Sequence, residues 1–101
     1  MIGLVDGFDW DEANIGKCQK HGISVEMIED FFTRELRLHP DIMHSKLEDR
    51  FIAIGKMENG RVAFVGFTYR QRRRSLLIRP VTARYMHDRE VRKYDQTDTK
   101  I

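Results

Sequence analysis

Along the first forty residues apolar side chains recur at helical spacing, and from about residue 50 they gather into strand-like runs. The stretch from about Trp10 to His21 is predicted to be a helix, with Asp9 as N-cap, Glu12 three residues on and Gly22 as the stop. Ser24 is placed to cap a second helix, whose apolar face carries Val25, Ile28, Phe31 and Phe32. A short extended piece, Glu35 to His39, then runs to Pro40.

The centre, RFIAIGKMENGRVAFVGFTYR, is two strand runs joined through Asn59-Gly60, a pair favoured in type I′ hairpins because both positions take positive φ. That turn predicts a register in which Glu58 faces Arg61, Met57 faces Val62, Gly55 faces Phe64, Ile54 faces Val65 and Ile52 faces Phe67. Opposite charges then meet beside the turn. Both faces of the hairpin are largely apolar, so one is expected to pack on the helices while the other needs a cover or a partner. A third strand, Ser75 to Val81, returns after the basic loop RQRRR, and Pro80 favours an edge position because proline has no N–H for a ladder. The last helix is predicted from about Ala83 to Tyr94, followed by a frayed tail, DQTDTKI. Together the elements predict an α+β fold: a small antiparallel β-sheet packed with two N-terminal helices and a C-terminal helix. No repeat or linker divides the chain, so residues 1–101 are read as one domain with its core at about 8–94.

Composition narrows the class. Hydrophobic residues make up 41% and charged residues 34%, which is neither a disordered nor a membrane-spanning composition. No apolar run approaches the ~20 residues a spanning helix needs, and the N-terminal stretch carries acids where a secretion signal carries bases. The protein is therefore expected to be cytoplasmic and to engage no membrane. Cys18 stands alone, without a disulfide partner or zinc-site neighbours, and is expected to be a small, partly buried side chain. The net charge of +2 conceals a division: residues 1–50 hold 6 Lys+Arg against 11 Asp+Glu, or −5, and residues 51–101 hold 12 against 5, or +7. Such a division suits a basic surface for a polyanion, or two opposite surfaces that neutralise each other within the fold.

Four clusters carry candidate chemistry. Asn14, Lys17 and His21 share one face of the first helix, either as a polar stripe that meets phosphate or a reacting proton, or as a solvated face with His21 capping the helix end. His44, Ser45, Glu48 and Arg50 include a histidine with a carboxylate four residues on, a pairing suited to acid–base work and also common in ordinary loops. Arg70, Arg72, Arg73 and Arg74 form either a solvated loop or a phosphate clamp, with Arg70 the more rigid because it follows directly from a strand. Arg84 and His87 fall in the first turn of the predicted last helix, where the dipole disfavours cations by ~0.3–1 kcal/mol. A surface bridge from Arg84 to Asp88 would return only ~0.3–0.5 kcal/mol. A phosphate held by the helix N–H groups and Arg84 removes the conflict. There is no phosphate-binding glycine loop, no HExxH and no GxSxG. His21, His44 and His87 are scattered and lack partners at ligand spacing, so neither a metal nor a cofactor is expected.

The segments FDWDEANIGKCQKHGIS, HSKLEDRFIAIG, NGRVAFVGFTYR and LLIRPVTARYMHDREV, in that order and at these separations, closely resemble the BrnT family of ribonuclease toxins over about Phe8 to Tyr94. The resemblance implies a compact RelE-like α+β fold and metal-independent RNA cleavage. It also implies a BrnA-type antitoxin of the ribbon-helix-helix DNA-binding class, which would bind the toxin in a hetero-oligomer and silence it. Carried over by position, Lys17 and His21 of GKCQKHG, Arg70 after the hairpin strand and Arg84 of TAR are the implied site residues. This chain adds His87 from TARYMH, and His44 and Glu48 from HSKLED. Pro80 stands where many relatives carry an aliphatic residue and points to a local edge bulge, and RQRRR is more basic than such a loop requires.

The chemistry expected on this basis is attack of an RNA 2′-OH on the adjacent phosphate. Arg70 and Arg84 are assigned to the phosphorane, His21 and His87 to base and acid in an order left open, Lys17 to electrostatic support, and Glu48 to orientation or an alternative base. Two other readings compete: a non-catalytic nucleic-acid-binding module whose basic half tracks phosphates, and a protein-interaction domain that docks through its acidic half or apolar sheet face. The catalytic reading, unlike these two, requires the named side chains to meet around one cleft.

Overall fold

The computed structural model describes residues 5–99, with side chains as far as Lys93. In chain order the elements are β1 (Gly7–Phe8), α1 (Glu12–Gln19), α2 (Val25–Phe31), β2 (Arg37–Pro40), a 3-10 turn (Ile42–His44), β3 (Phe51–Lys56), β4 (Val62–Arg72), β5 (Ser75–Tyr85) and α3 (Asp88–Thr99). The five strands form one sheet in the order β1-β5-β4-β3-β2, antiparallel except for the β1–β5 pair. The α+β class expected from the pattern is the class adopted, and its arrangement is compatible with a small toxin domain.

The core lies on one face of the sheet. Ile28, Phe31 and Phe32 of the second helical segment are buried as their spacing predicts, against Ala53, Val65, Phe67 and Ile78. Aromatic rings run through this layer: Phe32 meets Phe67 edge-on at 5.2 Å between centroids, and Phe67 meets Phe51 and Tyr69 at 5.7 and 5.5 Å. Such contacts add to the burial of large apolar surfaces. Cys18 is fully buried among these residues, beyond the partial burial expected.

Several expectations about local structure change. The hairpin is not closed by a type I′ turn: Gly60 takes φ of 83°, but Asn59 keeps negative φ. The Asn59 side chain instead accepts from the Arg61 N–H at 3.0 Å and donates to the Tyr85 hydroxyl at 2.9 Å. The Met57 N–H donates to the Arg61 carbonyl and the Gly60 N–H to the Met57 carbonyl, each at 2.9 Å, so the loop is a three-residue turn with a glycine bulge. The register therefore slips by one, and Ile54 faces Phe64, Ile52 faces Gly66 and Phe51 faces Phe67.

The first helix starts later than predicted, capped by Asp11 rather than Asp9, and ends at Gln19, so His21 lies in the turn that follows it. Residues 6–9 are held extended by an unforeseen parallel strand, in which the Asp6 and Asp9 N–H groups donate to the Leu76 and Ile78 carbonyls at 2.8 Å. This strand also removes β5 from the sheet edge, so the edge expectation for Pro80 fails. Pro80 is tolerated because β1 pairs only with Leu77 and Ile78, and because a bulge lies beside it: Gly66 faces Thr82 while Phe67 faces Pro80, leaving Val81 as the extra residue.

Finally, the chain from Thr82 to Tyr85 is strand and not helix; α3 begins at Asp88 and its backbone continues to Thr99. Met86 N–H still donates across the sheet to the Val62 carbonyl at 2.9 Å, so the ladder holds the chain extended past the predicted helix start. Residues 100–101 of the predicted tail lie outside the described residues.

Asn14 joins the helix to the sheet. Its Oδ1 accepts from the Asp11 N–H at 2.7 Å, and its Nδ2 donates to the Asp9 and Pro80 carbonyls at 2.9 and 2.8 Å. The side chain is buried, so losing it strands these groups away from water. Asn14→Ala is expected to lower stability by about 2–3 kcal/mol in urea titration, well beyond the ~1 kcal/mol of an ordinary cap deletion.

Candidate functional site

Alternation along β4 places Phe64, Gly66, Thr68, Arg70 and Arg72 on the face opposite the aromatic core. Their β5 partners are Arg84, Thr82, Arg79, Leu77 and Ser75, and across β3 Phe64 and Gly66 meet Ile54 and Ile52. The bulge at Val81 decides this composition. Without the extra residue, Val81 and Ala83 would face Gly66 and Phe64, and Thr82 and Arg84 would turn into the core. The second apolar hairpin face is thus covered in part by charge: the Arg84 guanidinium carbon lies 5.0 Å from the centroid of the Phe64 ring.

At the middle of this face a cleft of about 290 Å³ opens between the C-terminal end of α1 and the sheet, lined by Lys17, Lys20, His21, Arg50, Val81 and Thr82. Spacings of three and four bring Lys17, Lys20 and His21 to one side of the helix end. All three are exposed, and none makes an ion pair or side-chain hydrogen bond with a described residue. A helix C-terminus favours such cations.

Arg50 connects the cleft to the next group. Its Nη2 lies 3.9 Å from Glu48 Oε1, while Glu48 Oε2 accepts from Arg70 Nη1 and its Oε1 from Arg70 Nη2 at 3.5 Å. The Arg70 guanidinium holds the Glu48 carboxyl below its ordinary range, and Glu48 in turn raises Arg70. The loop carrying Glu48 and Arg50 is fixed at both ends. Ser45 Oγ donates to the Asp41 carbonyl at 2.6 Å and accepts from the Arg50 N–H at 3.0 Å, and Thr68 Oγ1 donates to the Asp49 carbonyl at 2.7 Å. His44 bonds to Asp41 at 2.9 Å, so the expected His44–Glu48 pairing is replaced.

Arg84 and His87 lie together at one end of the face. Arg84 makes two hydrogen bonds to the Glu90 carboxylate, at 2.9 and 3.0 Å. The His87 N–H donates to Glu90 Oε1 at 3.0 Å and its carbonyl accepts from the Val91 N–H at 3.0 Å, so His87 caps α3. The conflict of cations in a first helical turn dissolves, because Asp88 and Glu90 occupy that turn and Arg84 belongs to the strand. Arg84 faces Phe64 of β4, and Arg70 lies six residues further along β4, a separation of about 20 Å at the ordinary strand rise. Thr82 and the cleft fall between them.

Of the six predicted site residues, Lys17 and His21 share the cleft, Glu48 and Arg70 join it through Arg50, and Arg84 with His87 forms a separate group on the same face; the expected meeting of all of them around one cleft does not occur, because strand pairing with Phe64 and the bonds to Glu90 hold Arg84 and His87 at the far end. Lys20 and Thr82 were missed, and Arg50 was only a member of a weak cluster. Lys20 was legible from its spacing to Lys17, whereas Thr82 required the bulge. The uneven charge of the chain resolves both ways at once. Arg72 and Arg79 are met by Asp9 and Asp11, at 3.1 Å for Arg72–Asp9 and 3.0 Å for Arg79–Asp11, while Lys17 and Lys20 of the cleft meet no carboxylate among the described residues. Burial pushes the Cys18 thiol up to about 11, which removes it as a nucleophile. Among the described residues no three His, Cys, Asp or Glu side chains group as metal ligands, and no helix is long and apolar enough to cross a membrane.

A basic cleft on an open sheet face, with arginines to either side, is the form of a protein that follows a phosphate backbone. The family described as "Ribonuclease toxin, BrnT, of type II toxin-antitoxin system" matches residues 10–90, and the chain belongs to that family. It is accordingly a ribonuclease toxin, with RNA as substrate and an antitoxin as partner. No curated protein and no solved structure is significantly similar to it.

The Arg84–Glu90 pair has a pH signature. Hydrogen bonds from Arg84, and then from the His87 N–H, hold the Glu90 carboxyl at about 2. A carboxylate depressed in the folded state contributes stability above its unfolded value near 4.5, and that contribution is lost as pH falls toward about 2. Glu90→Gln is expected to lower stability by about 0.5–1 kcal/mol at pH 6, a small figure because the pair is partly exposed, and to match the wild type near pH 2. Urea titrations at the two pH values measure the difference.

Proposed function

We propose that this toxin cleaves RNA without a metal ion, with the scissile phosphodiester held in the cleft between Lys17, His21 and Arg50. The observation that carries this reading is the set of exposed cations at the end of α1, which have no partner among the described residues and face Arg50 across the cleft. In this reaction the 2′-oxygen forms a bond to phosphorus, the bond from phosphorus to the 5′-oxygen breaks, and the products are a 2′,3′-cyclic phosphate and a 5′-OH. His21 takes the proton of the attacking hydroxyl and, as the imidazolium, gives it to the departing 5′-oxygen, while Lys17 and Arg50 meet the charge that grows on the phosphorane. Glu48 orients Arg50 and Arg70; its lowered pKa makes it a poor base. Arg70 at one end, and Arg84 with His87 at the other, hold the flanking strand. The antitoxin is taken to be of the ribbon-helix-helix type, and the site of action to be the cytoplasm.

Cleavage of a defined RNA in EDTA tests the scheme. His21→Ala and Arg50→Ala are each expected to slow it by ~100-fold or more, with wild-type folding by circular dichroism. Arg70→Ala and Arg84→Ala should weaken RNA binding and flatten its salt dependence, with smaller effects on the rate of bound substrate. A requirement for divalent metal, products without a cyclic phosphate, or a wild-type rate in His21→Ala would refute it.

A further inference from the structure

The segment between β2 and β3 holds large aliphatic side chains in water. Ile42 is 82% exposed, Met43 83%, and Leu47 fully exposed, with Leu38 of the edge strand half-exposed nearby. Single exposed apolar residues are ordinary, but three within six positions form a patch of the kind that marks an interface. Polar contacts fix this segment: the Asp41 N–H donates to the Arg50 carbonyl at 2.8 Å, Ser45 closes the loop from within, and Asp41 holds His44. The aliphatic groups are therefore presented outward on a closed loop.

A hollow of about 400 Å³ lies among Met43, His44, Lys46, Leu47, Glu48 and Arg50. Arg50 lines both this hollow and the Lys17–His21 cleft, so the apolar patch and the cationic cleft are continuous. The one carboxylate in the hollow, Glu48, is committed to Arg70. A ligand that satisfies the whole surface has apolar anchors beside negative charge. RNA supplies the charge but has nothing to gain from aliphatic side chains that offer no ring for base stacking. A protein segment supplies both.

We propose that Ile42, Met43 and Leu47 anchor the antitoxin, and that an acidic stretch next to its apolar anchors crosses Arg50 into the Lys17–Lys20–His21 cleft and excludes RNA. This inference rests on the cleft being the RNA site, as read above. Silencing then follows from occupancy of one continuous surface, with the apolar half giving affinity and the charged half giving competition.

The test uses the full chain carrying Ile42→Ser, Met43→Ser and Leu47→Ser together, titrated calorimetrically with the purified cognate antitoxin. All three side chains are exposed, so folding is preserved and is checked by thermal melting. Binding is expected to weaken ~100-fold or more, because each buried aliphatic group is worth roughly a factor of ten. RNA cleavage without antitoxin is expected at the wild-type rate, and to persist at antitoxin concentrations that silence the wild type. Wild-type affinity for the antitoxin in the triple variant overturns the proposal. So does light scattering that shows the wild type self-associated and the variant monomeric, which would assign the patch to a second copy of this chain. If Lys17→Glu with Arg50→Glu abolishes cleavage but leaves antitoxin affinity unchanged, the acidic-stretch half is overturned. Failure of wild-type cleavage in the same EDTA assay counts against the catalytic reading alone, since antitoxin binding is measured separately.

Discussion

The buried amide of Asn14 sets the relation between the first helix and the sheet. It binds the Asp11 N–H, the Asp9 carbonyl and the Pro80 carbonyl at once, so the start of α1 is pinned where β5 has lost regular pairing. The two features need each other. The bulge leaves the Pro80 carbonyl out of regular pairing, and a helix start needs partners for polar groups that no helical bond satisfies. Joining them at the Val81 bulge satisfies both, and it places Lys17, one turn further along α1, and His21, just past its end, beside Thr82.

The same bulge decides which side chains meet solvent. By shifting β5 one residue against β4, it sends Thr82 and Arg84 to the face opposite the aromatic core and leaves Ala83 buried. A fully regular strand would have buried an arginine at that position, at a cost no single partner offsets. An irregularity of one residue thus separates an apolar core from a charged face along the same two strands.

Charge is distributed on that face with some economy. Most arginines are engaged by carboxylates: Arg70 by Glu48, Arg84 by Glu90, Arg72 and Arg79 by Asp9 and Asp11. These pairs orient long side chains that would otherwise sample many rotamers, and they reduce repulsion among neighbouring cations. The cations of the α1 end are left without such partners among the described residues. The cleft is therefore distinguished from the rest of a basic surface by which of its charges remain unneutralised, and less by their number.

The sequence by itself determined the class of fold, the apolar face of the second helix and the central hairpin, because these follow from periodicities that repeat over several residues. It also determined that Lys17 and His21 share a helix face, since that spacing is a local property. Residues up to a turn apart are constrained by covalent geometry, and their relation needs no distant partner. Tertiary structure decided the rest. The parallel strand at residues 7–8 exists only because β5 offers an edge, and it delays the first helix from Asp9 to Asp11. The hairpin register turned on whether Asn59 took positive φ or bonded instead to Arg61 and Tyr85, and Tyr85 is far along the chain. Arg84 has the same sequence neighbours in a helix or a strand; pairing with Phe64 made it a strand residue, and Glu90 then gave it a partner. The cleft depended most on distant contacts, because Lys17, Arg50 and Thr82 are brought together by the β5 bulge, by the Asn14–Pro80 bond and by the Thr68–Asp49 bond, which join segments that a local pattern cannot connect.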